Sequence, residues 1–110
     1  MNVDHVAIER SRREQAKRAI DERIAQLRRA LFEGAFRATA HGLTDEAGAA
    51  NALIRAHSGA NNLLVIGILR VAIDNEWDTV VETGISRCLY GPTAAAMQEL
   101  WTLTTSHDAV

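Results

Sequence analysis

Basic side chains crowd the first part of this chain. Residues 1–42 hold nine of its twelve Lys and Arg residues against six acidic residues, a net charge of +3. Arginine presents a planar fork of N–H donors that binds phosphates and carboxylates, so this segment could contact a nucleic acid or an acidic protein. The residues that the sequence offers for such contact are Arg10, Arg12, Arg13, Lys17, Arg18, Arg28 and Arg29.

The same segment also carries counter-charges of its own. Glu9 and Arg13, and likewise Glu14 and Arg18, are spaced to pair along one helix. Each such pair stabilises a helix by only about 0.2 to 0.5 kcal/mol, but together they are typical of a solvated helix surface. We therefore favour a solvated or protein-binding helix, and keep nucleic-acid binding as the alternative.

A run of carboxylates around a tryptophan is the second chemical feature. It consists of Asp74, Glu76, Trp77, Asp78 and Glu82, within a segment, residues 43–110, that carries eight acidic and three basic side chains, a net of −5. Alternating carboxylates occur in calcium loops, but the glycine and the bidentate glutamate of such a loop are missing here. The run predicts a contact surface for a basic partner, which could be the chain's own N-terminal segment.

Residues for catalysis or metal binding are scattered. The four histidines, His5, His41, His57 and His107, form no metal-ligand spacing. Cys88 lies on the apolar face of a predicted helix, where a thiol is inert. No phosphate-binding loop is present. The sequence therefore predicts no metal, no cofactor and no enzymatic activity.

The cellular setting follows from two simple features. A single cysteine cannot form an internal disulfide, which fits a reducing compartment. The longest apolar run, residues 63–73, is far shorter than the roughly 20 residues that span a bilayer. The start of the chain carries no apolar run typical of a signal peptide or an anchor. We expect a soluble, cytoplasmic protein that does not enter membranes.

The basic segment must be positioned by a long helix over residues 4–42, interrupted only by Gly34 and ended by a cap at Gly42. Whether the helix continues through Gly34 stays open. Apolar residues at spacings of four, three and four form a seam typical of helix pairing: Ile20, Ile24, Leu27 and Leu31. A helix of this length, about 55 Å, exceeds the roughly 26 to 35 Å of a compact domain of this size. Part of it must project, and the seam predicts the interface of a homo-oligomer, most simply a dimer.

Four further helices are expected. Thr44 caps the second, residues 62–73 form a buried central helix (a buried strand is the alternative), and Asn75 caps a fourth that runs to Leu89. Pro92 starts the fifth. The predicted core comprises Leu53, Leu64, Ile66, Ile68, Leu69, Val81, Ile85, Leu89, Met97, Leu100 and Trp101.

The sequence thus predicts one all-α domain, a four- to five-helix bundle. Residues 1–42 form the long, possibly projecting helix, 43–105 the helical body and 106–110 a tail. Without catalytic residues, such a domain is expected to bind another macromolecule, as an adaptor, inhibitor or regulator, and to do so as a homodimer.

Overall fold

A computed structural model describes residues 4–33 and 42–108 of the chain. Five helices account for most of these residues, and the described ranges contain no strand. The helices are α1 (Asp4–Phe32), α2 (Glu46–Ser58), α3 (Asn62–Asp74), α4 (Asp78–Thr83, continued by a π-helical turn over Gly84–Cys88) and α5 (Gly91–Asp108). The prediction of an all-α, four- to five-helix bundle with a long, charged N-terminal helix is confirmed.

Helix α3 occupies the centre of the bundle. Asn61 caps it, since its side-chain oxygen accepts a hydrogen bond from the backbone N–H of Leu64 at 3.1 Å. From Val65 to Leu69 every residue is buried, and α1, α2 and α4 all pack against this helix. The segment is a helix and not a strand, because neighbouring helices cover its apolar surface on several sides.

The core agrees closely with the prediction. Eight of the eleven predicted residues are buried, and Leu64, Ile85 and Trp101 are partly buried against them. The structure adds ten buried residues that the predicted core did not include: Leu27, Leu31, Phe32, Ala49, Ala56, Val65, Ala72, Ile73, Val80 and Cys88. Several of these are small, and they mark places where helix backbones approach closely.

Helix α1 is divided into two parts by its own sequence. Residues 6–19 are exposed, whereas Leu27, Leu31 and Phe32 are buried. The described chain measures 65 × 25 × 23 Å, so the exposed part projects from the body. We call residues 6–19 the arm and residues 20–32 the root. Apolar residues of the seam begin only at Ile20, and this explains why the body covers the root and leaves the arm in solvent.

Two predicted helix starts were wrong. Asp45, and not Thr44, caps α2, because its carboxylate accepts a hydrogen bond from the backbone N–H of Gly48 at 2.6 Å. Asn75 caps the end of α3 instead of the start of α4, since its side-chain amide donates to the carbonyl oxygen of Val71 at 2.8 Å. Helix α4 then begins at Asp78 without a side-chain cap.

The described end of α1 lies at Phe32. Residues 34–41 fall outside the described ranges, so continuation of the helix through Gly34 stays a prediction. Gly42 has a φ of +95°, in a turn that leads into α2. At the other terminus α5 extends to Asp108, into the segment predicted as a tail. Pro92 lies in the first turn of α5, as predicted.

Ion pairs and one cation–π contact hold the root of α1. Arg23 binds Glu99 of α5 through two hydrogen bonds of 2.6 and 2.7 Å, and these bonds together with the arginine charge lower the pKa of the Glu99 carboxyl. Arg28 binds Asp74 at the end of α3 at 3.0 Å. Arg70 of α3 lies 5.4 Å from the ring centre of Phe32. The root is therefore fixed to two different helices.

A glycine permits the closest approach inside the bundle. Gly84 is buried in the π-helical turn, and a Cβ atom there would lie closer than 3.0 Å to three side-chain carbons of Leu69. Leu69 is fully buried and cannot move aside without displacing its neighbours. The pairing of Gly84 with Leu69 therefore sets the distance between α3 and the turn that follows α4.

We expect Gly84→Ala to lower the free energy of unfolding by about 1 to 3 kcal/mol, the usual effect of overfilling a packed core. Urea unfolding followed by circular dichroism measures it. Gly59→Ala is the control, because a Cβ there meets its nearest atom at an ordinary 3.4 Å, and it should change stability by no more than about 0.5 kcal/mol. An unchanged urea midpoint for Gly84→Ala would contradict this close packing.

The Arg23–Glu99 pair should make stability depend on pH. A carboxyl whose pKa is lower in the folded state stabilises the fold above its unfolded pKa, about 4.3 for glutamate. This stabilisation is lost as the pH falls through the folded pKa. Glu99→Gln should therefore have a lower urea midpoint than the wild type at pH 7, and the gap should close in acid. Glu82→Gln, at an exposed position outside this pair, is the control; a gap at Glu99 that persists in acid would contradict the assignment.

Candidate interaction surfaces

The arm carries a one-sided arrangement of charge. Val6, Arg10, Arg13 and Lys17 continue the four-three spacing of the seam, so they lie on the same face of α1 as Ile20. We call Arg10, Arg13 and Lys17 the basic stripe. The face that packs on the body in the root thus continues beyond the body as a row of cations.

The seven predicted basic contact residues do not form one patch. Five of them lie in the arm and are exposed: Arg10, Arg12, Arg13, Lys17 and Arg18. Arg29 is exposed on the root, and Arg28 is partly buried in its ion pair with Asp74. The arm carries five basic and two acidic side chains, a net of +3. The available positive charge is therefore concentrated in the arm.

The predicted oligomer seam is also divided. Leu27 and Leu31 are only 4% and 8% exposed, because they pack in the chain's own core. Their burial leaves little surface for a second copy to contact, and the part of these two residues in an oligomer interface stays a prediction. Ile20 and Ile24 are partly buried. An interface between copies would therefore use Ile20 and Ile24, at the junction of root and arm.

The residues of the acidic run lie in different environments. Asp74 is engaged by Arg28, Trp77 packs partly buried against the core, and Glu82 is exposed. Glu76 and Asp78 line a cavity of about 210 Å³. The cavity is completed by Ile73, Trp101, Thr104 and Thr105, and we call it the acidic cavity.

Local geometry shapes the acidic cavity. The chain turns between α3 and α4 at Glu76, whose φ of +60° is uncommon for a residue with a side chain. Trp101 donates from its indole nitrogen to a carboxylate oxygen of Asp78 at 3.3 Å, which joins α5 to the start of α4. The hydroxyl oxygen of Thr104 is buried without a hydrogen-bond partner in the described structure. Two carboxylates beside an indole favour a cationic ligand.

Sequence reasoning assigned Trp101 only to the core and so did not find this cavity. A tryptophan usually seeks an acceptor for its indole N–H when it is buried. The signal was therefore present, but the sequence does not show which carboxylate accepts the bond.

A second depression lies between α2 and α4. It has a volume of about 580 Å³, and its lining is mainly apolar, with Ala50, Leu53 and Val80 among its residues. Ile54 at its edge is 61% exposed. This groove lacks the concentrated charge of the acidic cavity, so it offers little chemical specificity.

Cys88 is buried, and burial raises the pKa of its thiol against a smaller, opposite effect of the Arg87 charge. A protonated, buried thiol is a poor nucleophile. Among the described residues, no three His, Cys, Asp or Glu side chains are grouped so that they could hold a metal ion. Within the same residues, no helix combines the length and apolar character needed to cross a bilayer.

The described structure therefore presents three surfaces for binding: a basic arm, an acidic cavity and an apolar groove. The arm and the cavity have opposite charge: the arm carries five of the predicted basic contact residues, and Glu76 and Asp78 of the predicted acidic run line the cavity. Comparison of the chain with protein-family models, with curated proteins and with solved structures found no match.

Proposed function

We propose that this protein is a non-catalytic binding protein, an adaptor, inhibitor or regulator, that engages another macromolecule through its arm and works as a homodimer. The projecting arm is the observation that carries the proposal. Fourteen consecutive helical residues, 6–19, are exposed, and none of them belongs to the buried core. An exposed, mainly polar helix that projects from the body is typical of a contact element.

The root makes such an arm feasible. An isolated helix of about 14 residues is marginal in water, because its first turn is costly to form. Here the burial of Leu27, Leu31 and Phe32, together with the ion pairs of Arg23 and Arg28, holds a preformed helix from which the arm extends. The arm is thus presented to a partner in helical form, which reduces the entropy lost on binding.

The homodimer is supported by the junction of root and arm. Ile20 and Ile24 lie on one face and are only partly covered by the chain itself. Two-fold pairing is the commonest way in which a protein buries such a surface. The burial and raised pKa of Cys88 make that thiol a poor nucleophile. A free, buried cysteine also fits the reducing cytoplasm.

Nucleic-acid binding is the second candidate, and one observation favours it. Residues 43–110 carry a net charge of −5 and would repel phosphates, but the projection of the arm carries its +3 away from that body. Salt screens charges beyond about 8 to 10 Å. The outer part of the arm could therefore approach a nucleic acid without strong repulsion.

The homodimer is tested by the mass of the protein in solution. At tens of micromolar, light scattering should give about twice the chain mass of 12.0 kDa. Ile20→Glu should lower the mass toward one chain, because it places a charge at the junction, and circular dichroism should show an intact fold. Ala19→Glu, exposed and on a different face of the same turn, is the matched control. A wild-type protein that is monomeric would contradict the homodimer.

Binding of the arm to a nucleic acid predicts a specific dependence of affinity on salt concentration. If the arm neutralised about five phosphates of duplex DNA, log affinity would fall with log salt with a slope of about −4.5. Arg12→Ala with Arg13→Ala would then flatten the slope by about 2, whereas Arg55→Ala with Arg87→Ala on the body would not. We expect no gel shift at sub-micromolar protein in about 150 mM salt. A shift that the arm variant abolishes would favour nucleic-acid binding over a protein partner.

A further inference from the structure

We propose that the basic stripe of one copy docks on the acidic cavity of a second copy, so that the two copies exchange arms across a two-fold axis near Ile20. This inference rests on the proposed homodimer and names the contacts that form it. One Arg or Lys side chain of the stripe enters each cavity, between its carboxylates and the indole of Trp101.

Charge complementarity is the first support. The arm has a net charge of +3, and residues 43–110 have a net of −5. Within one chain the arm points away from the body, as the 65 Å long axis shows. A second copy supplies a body of the opposite sign, with which this exposed positive charge can pair.

Contacts at the root show how the body binds cations from α1. Arg28 lies 18 residues after Arg10, which is five turns of an α-helix, so both residues project from the same face. Arg28 binds Asp74 at 3.0 Å, and the next residue back along α3, Ile73, lines the acidic cavity. The basic stripe lies on this same face of α1, in the part of the helix that the chain's own body does not cover.

The two-fold axis places these groups at the same level. Suppose that two α1 helices run antiparallel and cross near Ile20. Residue 10 of one copy, ten positions before the crossing, then lies level with residue 30 of the other copy, ten positions after it. Arg10 and Arg13 then come level with residues 27–30 of the second copy, beside the Arg28–Asp74 pair and the cavity next to it. The same axis brings the partly exposed Ile20 side chains together. A single dimer therefore buries the Ile20 junction and also pairs the basic stripe with the acidic cavity.

The chemistry of the cavity suits this occupant. Its volume of about 210 Å³ exceeds the roughly 30 Å³ of one water molecule several-fold and accommodates the end of a basic side chain. Glu76 and Asp78 offer carboxylate oxygens to a guanidinium or ammonium group. The indole of Trp101 offers a cation–π surface, which tryptophan provides better than other residues. Exposed ion pairs are individually weak, so the reciprocal formation of two such contacts matters for affinity.

Charge reversal tests the inference. The stripe variant is Arg10→Glu with Arg13→Glu, and the matched control is Arg12→Glu with Arg18→Glu, which changes the charge of the arm equally on other faces. We expect the stripe variant to weaken the dimer roughly tenfold or more and the control to weaken it much less. Sedimentation measures both at about 150 mM salt, with circular dichroism to confirm folding.

A mixing experiment makes the test specific. The cavity variant is Glu76→Lys with Asp78→Lys, and Glu76→Gln with Asp78→Asn serves if the double lysine variant does not fold. Stripe and cavity variants should each dimerise poorly, but their mixture should form a heterodimer, because each reversed arm then meets a reversed cavity. If the neutral cavity variant has to be used, its own homodimer should be weaker than that of the wild type.

The outcomes separate this inference from the proposed function. A wild-type monomer would contradict the homodimer and the arm exchange together. A dimer that stripe and control variants weaken equally, or variants that form no heterodimer, would overturn the arm exchange and leave the homodimer in place. A stripe variant that keeps the dimer but loses binding to a short DNA duplex would overturn it in favour of a nucleic-acid contact.

Discussion

Helix α3 is apolar over most of its surface, with Arg70 as its only charged side chain before the terminal Asp74. Water must be kept from this helix by its neighbours, and α1, α2 and α4 each pack against it. Burial of such a surface is the main favourable term in folding. The turn after α4 must approach α3 closely to cover it. This explains the glycine at position 84, since any side chain there would meet Leu69.

Burial of apolar surface also determines which part of α1 packs on the body. The apolar seam lies in the root, and Leu27 and Leu31 of that seam enter the core. Arg23 and Arg28 then bind carboxylates of α5 and α3. The backbone of α1 is therefore continuous, but it is the root that packs into the core and so contributes to the stability of the fold. Its root belongs to the fold, whereas its arm adds length and charge without adding burial.

Much of this fold could be predicted, because periodicity reports which face of a helix is apolar. The seam from Ile20 onward follows from that signal, and the start of α5 near Pro92 follows from the preference of proline for the first turn of a helix. The caps were harder, since Thr44 and Asp45 are both good capping residues and only the turn geometry selects between them. The role of Asn75 was misassigned for a similar reason: it lies between two helices and can serve either.

The interaction surfaces were predictable in composition but not in arrangement. The basic and acidic residues were visible in the sequence, yet the pairing of Arg28 with Asp74 and the cavity beside Trp101 depend on how distant segments meet. Such tertiary contacts leave no local periodic signal. The burial of Leu27 and Leu31 within one chain was missed because a seam does not reveal whether its partner is the chain's own body or another copy.

The division of α1 has a consequence for how this protein can change over generations. Residues 6–19 are exposed and lie outside the buried core, so selection for a stable fold constrains substitutions there weakly. Selection on binding can then act on the arm almost independently of selection on folding. The recognition properties of the arm are free to diverge between related proteins while the bundle that carries it stays the same.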